Sequence, residues 1–110
     1  MMIQTRTVTV KAGYAEKVIE RFSGSMAVDG MEGLIDRTIL VNRKKKDEEE
    51  VVMMIRWESI EAWKNWEKSD VHIQGHREKK EKPADDSILS VSVHMYDAVK
   101  IIPGKGSAAE

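Results

Sequence analysis

The chain contains no cysteine, which removes disulfides, thiolate-bound metals, iron–sulfur clusters and cysteine nucleophiles from consideration. Histidine and carboxylate are left as the conventional metal ligands. No run approaches the roughly 20 apolar residues of a membrane-spanning helix, and the amino terminus, MMIQTRTVTV, lacks the apolar stretch of a secretion signal. Cytoplasmic residence without membrane association is the expectation. Neither charge dominates: 18 Lys and Arg face 19 Asp and Glu, a formal net charge of -1, so nothing points to electrostatic nucleic-acid binding. Aromatic residues are scarce as well, at 5% of 110 residues, yet all three tryptophans fall between positions 57 and 66.

What is present describes one domain. The 41% of hydrophobic residues suffices for a single core, and 34% charged residues keep it in water. We assign residues 1–102 to the domain and 103–110, PGKGSAAE, to a polar flexible tail. Residues 2–11, MIQTRTVTVK, alternate as a strand, with Ile3, Thr5, Thr7 and Thr9 on one face and Arg6, Val8 and Val10 on the other. After Gly13, the residues Tyr14, Ala15, Val18, Ile19 and Phe22 recur at helical spacing. Gly24 ends that helix, and 25–33 reads as a loop with Gly30 and Gly33 as hinges.

Two β-rich runs follow, 34–42 and 50–57, joined by the charged RKKKDEEE, which reads as a solvated hairpin connection. Ser59 is placed to cap a second helix carrying Ile60, Trp63 and Trp66 along one side. Ser69 and Asp70 offer a second cap, so the helix should break and restart. Pro83 stops the helical region, and 88–100 alternates as a last strand, with Leu89, Val91, Val93 and Met95 on one face and Ser92, His94 and Tyr96 on the other.

The order strand, helix, strand, strand, helix, strand predicts an α+β fold. It is the ferredoxin-like split βαβ arrangement, an antiparallel sheet with two helices on one face. The second sheet face should be apolar, which predicts that two sheets pack face to face in a homodimer.

His72 and His76 are four apart and share a helix face, as paired metal ligands must, but H-x-x-x-H alone equally describes two ordinary helix histidines. Trp63 has the spacing of a core residue. Trp66 lies at the predicted break, where a kink can aim it and His76 into one cavity; on a straight helix they would diverge by about 80°. A flat aromatic wall beside an imidazole suits a planar, metal-containing ligand such as haem.

The span WESIEAWKNWEKSDVHIQGH, residues 57–76, resembles the signature of the IsdG-type haem-degrading monooxygenases of the antibiotic biosynthesis monooxygenase superfamily, approximately W-x-S-x-x-x-F-x-x-W-x-x-S-D-x-F-x-x-A-H. Trp57, Ser59, Trp66, Ser69, Asp70 and His76 match in spacing. KVIERF (17–22) and DEEEVVMMIRWES (47–59) are also similar, so the likeness spans most of residues 1–100. It implies a ferredoxin-like homodimer with a central α/β-barrel and one haem pocket per subunit. Haem is there both cofactor and substrate: with O2 and an external electron donor, a reductant or reductase, a meso carbon is oxidised and the opened ring releases iron.

Under this resemblance His76 is the axial iron ligand and Trp66 the wall that distorts the porphyrin, while Phe22 is a pocket contact. A first-strand asparagine of the family falls, by ungapped counting, on Arg6. A neutral amide is thereby replaced by a larger, permanently charged, donor-only group. Arg6 could donate to a ligand at the iron, pair with a haem propionate, fill the pocket, or snorkel to solvent. His72 stands where the family usually has phenylalanine. The expected function is a haem-binding, haem-degrading monooxygenase. The alternatives are a non-enzymatic haem-binding or storage protein and a cofactor-independent monooxygenase of the same superfamily acting on an aromatic or quinol substrate, with His76 as a base.

Overall fold

A computed structural model describes residues 1–74 and 86–106. Its elements are β1 (Met2–Lys11), α1 (Ala15–Ser23), a 3-10 turn (Ala27–Gly30), β2 (Leu34–Asn42), β3 (Glu48–Trp57), α2 (Ile60–Lys68) and β4 (Ile88–Asp97). The strands form one sheet in the order β2-β3-β1-β4, with every neighbouring pair antiparallel. This is the predicted ferredoxin-like arrangement, with β1 and β3 in the centre, where their Val, Ile and Thr residues fit a pleated surface.

Residues opposite each other in an antiparallel ladder share a face, so the register sorts the side chains. Met2, Gln4, Arg6, Val8 and Val10 of β1 share a face with Val51, Met53, Ile55 and Trp57 of β3. This face carries the core. Val10, Val51 and Trp57 are fully buried there, packed with Ala15, Val18 and Phe22 of α1 and Ala62 of α2. Each of the larger apolar side chains buried there stabilises the fold by about 2 kcal/mol.

The helix ends are secured from a distance. No side chain of its own caps α1; the Glu49 carboxylate on β3 instead accepts from the backbone N–H of Gly13 (2.9 Å) and Ala15 (3.2 Å), neutralising donors that the first turn leaves unpaired. Ser59 caps α2 as expected, its hydroxyl accepting from the Ala62 N–H at 3.2 Å. Gly33, at φ +89°, lets α2 sit close, because a Cβ there would lie 2.5 Å from the Ala62 Cβ.

Several expectations are corrected. The acids of RKKKDEEE do not all belong to the connection, since β3 begins at Glu48 and pairing extends into them. Tyr14 is the exposed residue before α1 rather than part of its apolar stripe, and Ile60 points out of α2 while Ala62 points in. The 25–33 loop contains the 3-10 turn. The second sheet face is mixed rather than apolar: Thr5, Thr7 and Ser92 alternate with Ile3, Val52 and Met54. Apolar exposure concentrates on β4 and beyond, at Val91, Val93, Met95, Val99, Ile101 and Ile102. Leu89 does not continue the β4 row; it falls at a ladder irregularity, with Ile88 opposite Val10 and Ser90 opposite Thr9. Pro83 lies outside the described residues.

Candidate active site

The inward row of β1 is apolar at its ends and polar in its middle, at Gln4 and Arg6. There the helices part from the sheet and leave a cavity of about 300 Å³. Its floor is Gln4 and Arg6 with Met53 and Ile55 opposite them on β3. Phe22 at the end of α1 and Met26, Ala27 and Val28 around the 3-10 turn form one wall; Trp66, Glu67 and His72 form the other.

The first wall is locked by an arginine on β2. Arg37, 12% exposed, makes a two-pronged pair with Asp29 at 2.5 and 2.9 Å. It also donates to the carbonyls of Phe22 (2.6 Å) and Gly24 (3.0 Å) and contacts the Met53 sulfur at 3.7 Å. Asp29 in turn accepts from the Met26 N–H at 2.9 Å. The Arg37 hydrogen bonds, then that of Met26, hold the Asp29 carboxyl below its ordinary range. One cation thus joins the end of α1, the turn and the sheet.

The second wall depends on the break after α2. The Ser69 hydroxyl donates to the Trp66 carbonyl (2.7 Å) and accepts from the His72 N–H (3.2 Å), ending one helix and capping the helical residues 70–74. The chain turns so that the His72 ring meets Trp66 edge-on, centroids 4.7 Å apart, while its Nε2 lies 2.8 Å from the Glu67 carboxylate. By contrast, the side chains of Gln4 and Arg6 have no hydrogen-bond or ion-pair partner among the described residues.

Arg6, Phe22 and Trp66 therefore line one cavity, from three different elements. His76 lies outside the described residues. Sequence reasoning missed Gln4, Glu67 and Arg37. Gln4 was legible, being two residues before Arg6 in an alternating strand. Glu67 was not, because five residues on a continuous helix place it about 140° from His72. Arg37 was not either, since its partners are distant in sequence. Among the described residues no group of three or more His, Asp or Glu could hold a metal ion.

A sequence profile of the family described as antibiotic biosynthesis monooxygenase matches residues 1–78. The heme-degrading monooxygenase HmoA of Bacillus subtilis is 53% identical over 96 residues, 87% of this chain and 89% of the relative. A Bacillus cereus protein described as an antibiotic biosynthesis monooxygenase has a crystal structure that superimposes with TM-score 0.81 at 41% identity, covering 94% and 97% of the two chains. MhuD, a heme-degrader from Mycobacterium tuberculosis solved with two hemes in its active site, shares the fold, with TM-score 0.66, 20% identity and coverage of 94% and 100%.

Proposed function

Since the chain belongs to the antibiotic biosynthesis monooxygenase family, we propose that it is a haem-degrading monooxygenase, working in the cytoplasm as a homodimer with O2 and an external reductant. The observation that carries this reading is the convergence of Arg6, Phe22 and Trp66 on a cavity whose other surfaces are largely apolar, in a chain 53% identical to a heme-degrading enzyme. Haem has wide apolar faces and two carboxylates. The cavity offers Phe22, Val28, Ile55 and Trp66 for the faces and, in Arg6, a cation without a partner among the described residues for a carboxylate. The residues present fit the ligand.

When bound, haem supplies the iron at which oxygen is activated and the ring that is consumed. The chain's part is positioning. Trp66, braced by His72 at 4.7 Å, bears on the ring; Phe22, tied through its carbonyl to Arg37, closes the opposite wall. Arg6 would pair with a propionate, and His76 would hold the iron. The exposed apolar row of the edge strand β4, Val91, Val93 and Met95, lies on the sheet face of Val8, Arg6 and Gln4 and suits contact with a second subunit; sedimentation equilibrium checks the homodimer as a doubled mass.

Titrating the apoprotein with haem should give a Soret band near one-to-one stoichiometry that His76→Ala abolishes. Equal binding by wild type and His76→Ala overturns the ligand assignment. The complex, given ascorbate in air with catalase present, should lose its Soret band and release ferrous iron to a chelator. Binding without turnover makes the protein a haem store or sensor. No binding, with oxygen uptake on a polycyclic phenol, makes it a cofactor-independent monooxygenase.

A further inference from the structure

His72 and Glu67 are unlike the other ion pairs of the molecule. Lys45 and Glu48 meet at 3.2 Å on the surface, and Asp36 and Arg56 at 2.5 Å on the far sheet face. The His72–Glu67 pair alone, among the described ion pairs, has both members on the cavity. It also has an inside and an outside: the His72 side chain is 17% exposed and the Glu67 side chain 40%. The carboxylate at Nε2 and the edge contact with Trp66 hold the imidazole, and Ser69 holds its backbone.

We propose that Glu67 and His72 form a proton relay that delivers protons from solvent to the cavity during turnover, an inference that rests on the monooxygenase reading above. Inserting one atom of O2 into a ring C–H bond makes a C–OH bond and one water. Two electrons come from the external reductant, and two protons must come from solvent. A haem filling the cavity would displace water from it, so a path built into the wall would speed their delivery. An imidazole can accept a proton at one nitrogen and release one at the other, and a partly exposed carboxylate 2.8 Å away can reload it from water. The only other charged group lining the cavity among the described residues is Arg6, which does not give up its proton and cannot serve.

The test uses two variants. His72→Phe retains an aromatic ring against Trp66 but cannot carry a proton; Glu67→Gln is nearly isosteric and partly exposed. Each variant's Kd for haem is read from its own Soret titration, and rates are compared at saturating haem. With ascorbate, O2 and catalase, His72→Phe should consume haem at least about tenfold more slowly, Glu67→Gln should fall between it and wild type, and the solvent deuterium isotope effect should rise in both. In the haem-free protein, nitrogen NMR should show the His72 ring with its proton on Nε2, and Glu67→Gln should shift that resonance. Haem consumption by His72→Phe within about twofold of wild type overturns the relay, as does a slower rate with an unchanged isotope effect, which would mark His72 as a brace for Trp66. Wild type that binds haem without consuming it overturns the monooxygenase reading and the relay with it.

Discussion

Two arginines serve the same cavity under opposite conditions: Arg6 lines it, and Arg37 ties together the residues of one wall. Arg37 is 12% exposed and saturated, with a carboxylate, two backbone carbonyls and a sulfur around it. Arg6 is half-buried and has no side-chain partner among the described residues. A cation whose donors are all met by the fold contributes to the fold; one left unmet is held at a cost and is available to something else. The difference separates a wall that is structure from a floor that is site.

Replacing each arginine is the most direct way to break this contrast. Arg37→Met should lower stability by about 3 kcal/mol in urea unfolding, because it strands Asp29 and two carbonyls. A loss below about 1 kcal/mol would mean that water replaces the guanidinium and that the clamp is not structural. Asp29→Asn should cost about 1 kcal/mol at neutral pH, discounted because the carboxylate is 38% exposed.

The same aspartate sharpens the contrast through pH. Its folded-state pKa is depressed by Arg37, so its contribution is complete above the unfolded value of about 4 and is lost as pH falls through the lower folded value. Thermal unfolding below pH 4 should therefore show wild type losing stability faster than Asp29→Asn.

Arg6→Leu should act in the opposite sense. Stability should stay level or rise by up to about 1 kcal/mol as an unpaired charge is removed, while haem affinity drops about tenfold with the propionate contact gone. A destabilised Arg6→Leu protein would erase the distinction between wall and floor. The smallest effect is expected on the far sheet face, where Arg56 holds the Asp36 carboxyl below its ordinary range. Those side chains are 33% and 41% exposed, and Arg56→Gln should cost less than about 1 kcal/mol.

How much of this was legible follows from how local each cause is. The strands and α1 are set by alternation and helical spacing within a few residues, and the Ser59 and Ser69 caps by residue type, so they could be read directly. The face shared by Arg6, Val8 and Val10 followed from the twofold period of a strand. The helical stripe erred at Tyr14 and Ile60, where the ends of a helix leave the core. The second sheet face erred because alternation assigns residues to a side without saying which rows a helix covers.

By itself, the sequence determined the order of elements, their faces and the family, because these depend on periodicity and on residues a few positions apart. Only the tertiary structure decided which polar groups are spent and which remain available. Arg37 meets Asp29, Phe22 and Gly24 across 8 to 15 positions of chain, and His72 reaches Glu67 only because the chain breaks at Ser69. Arg6 and Arg37 are the same residue type on one face of one sheet, on β1 and β2 with β3 between them, and what distinguishes them is the set of acceptors that folding brings within reach.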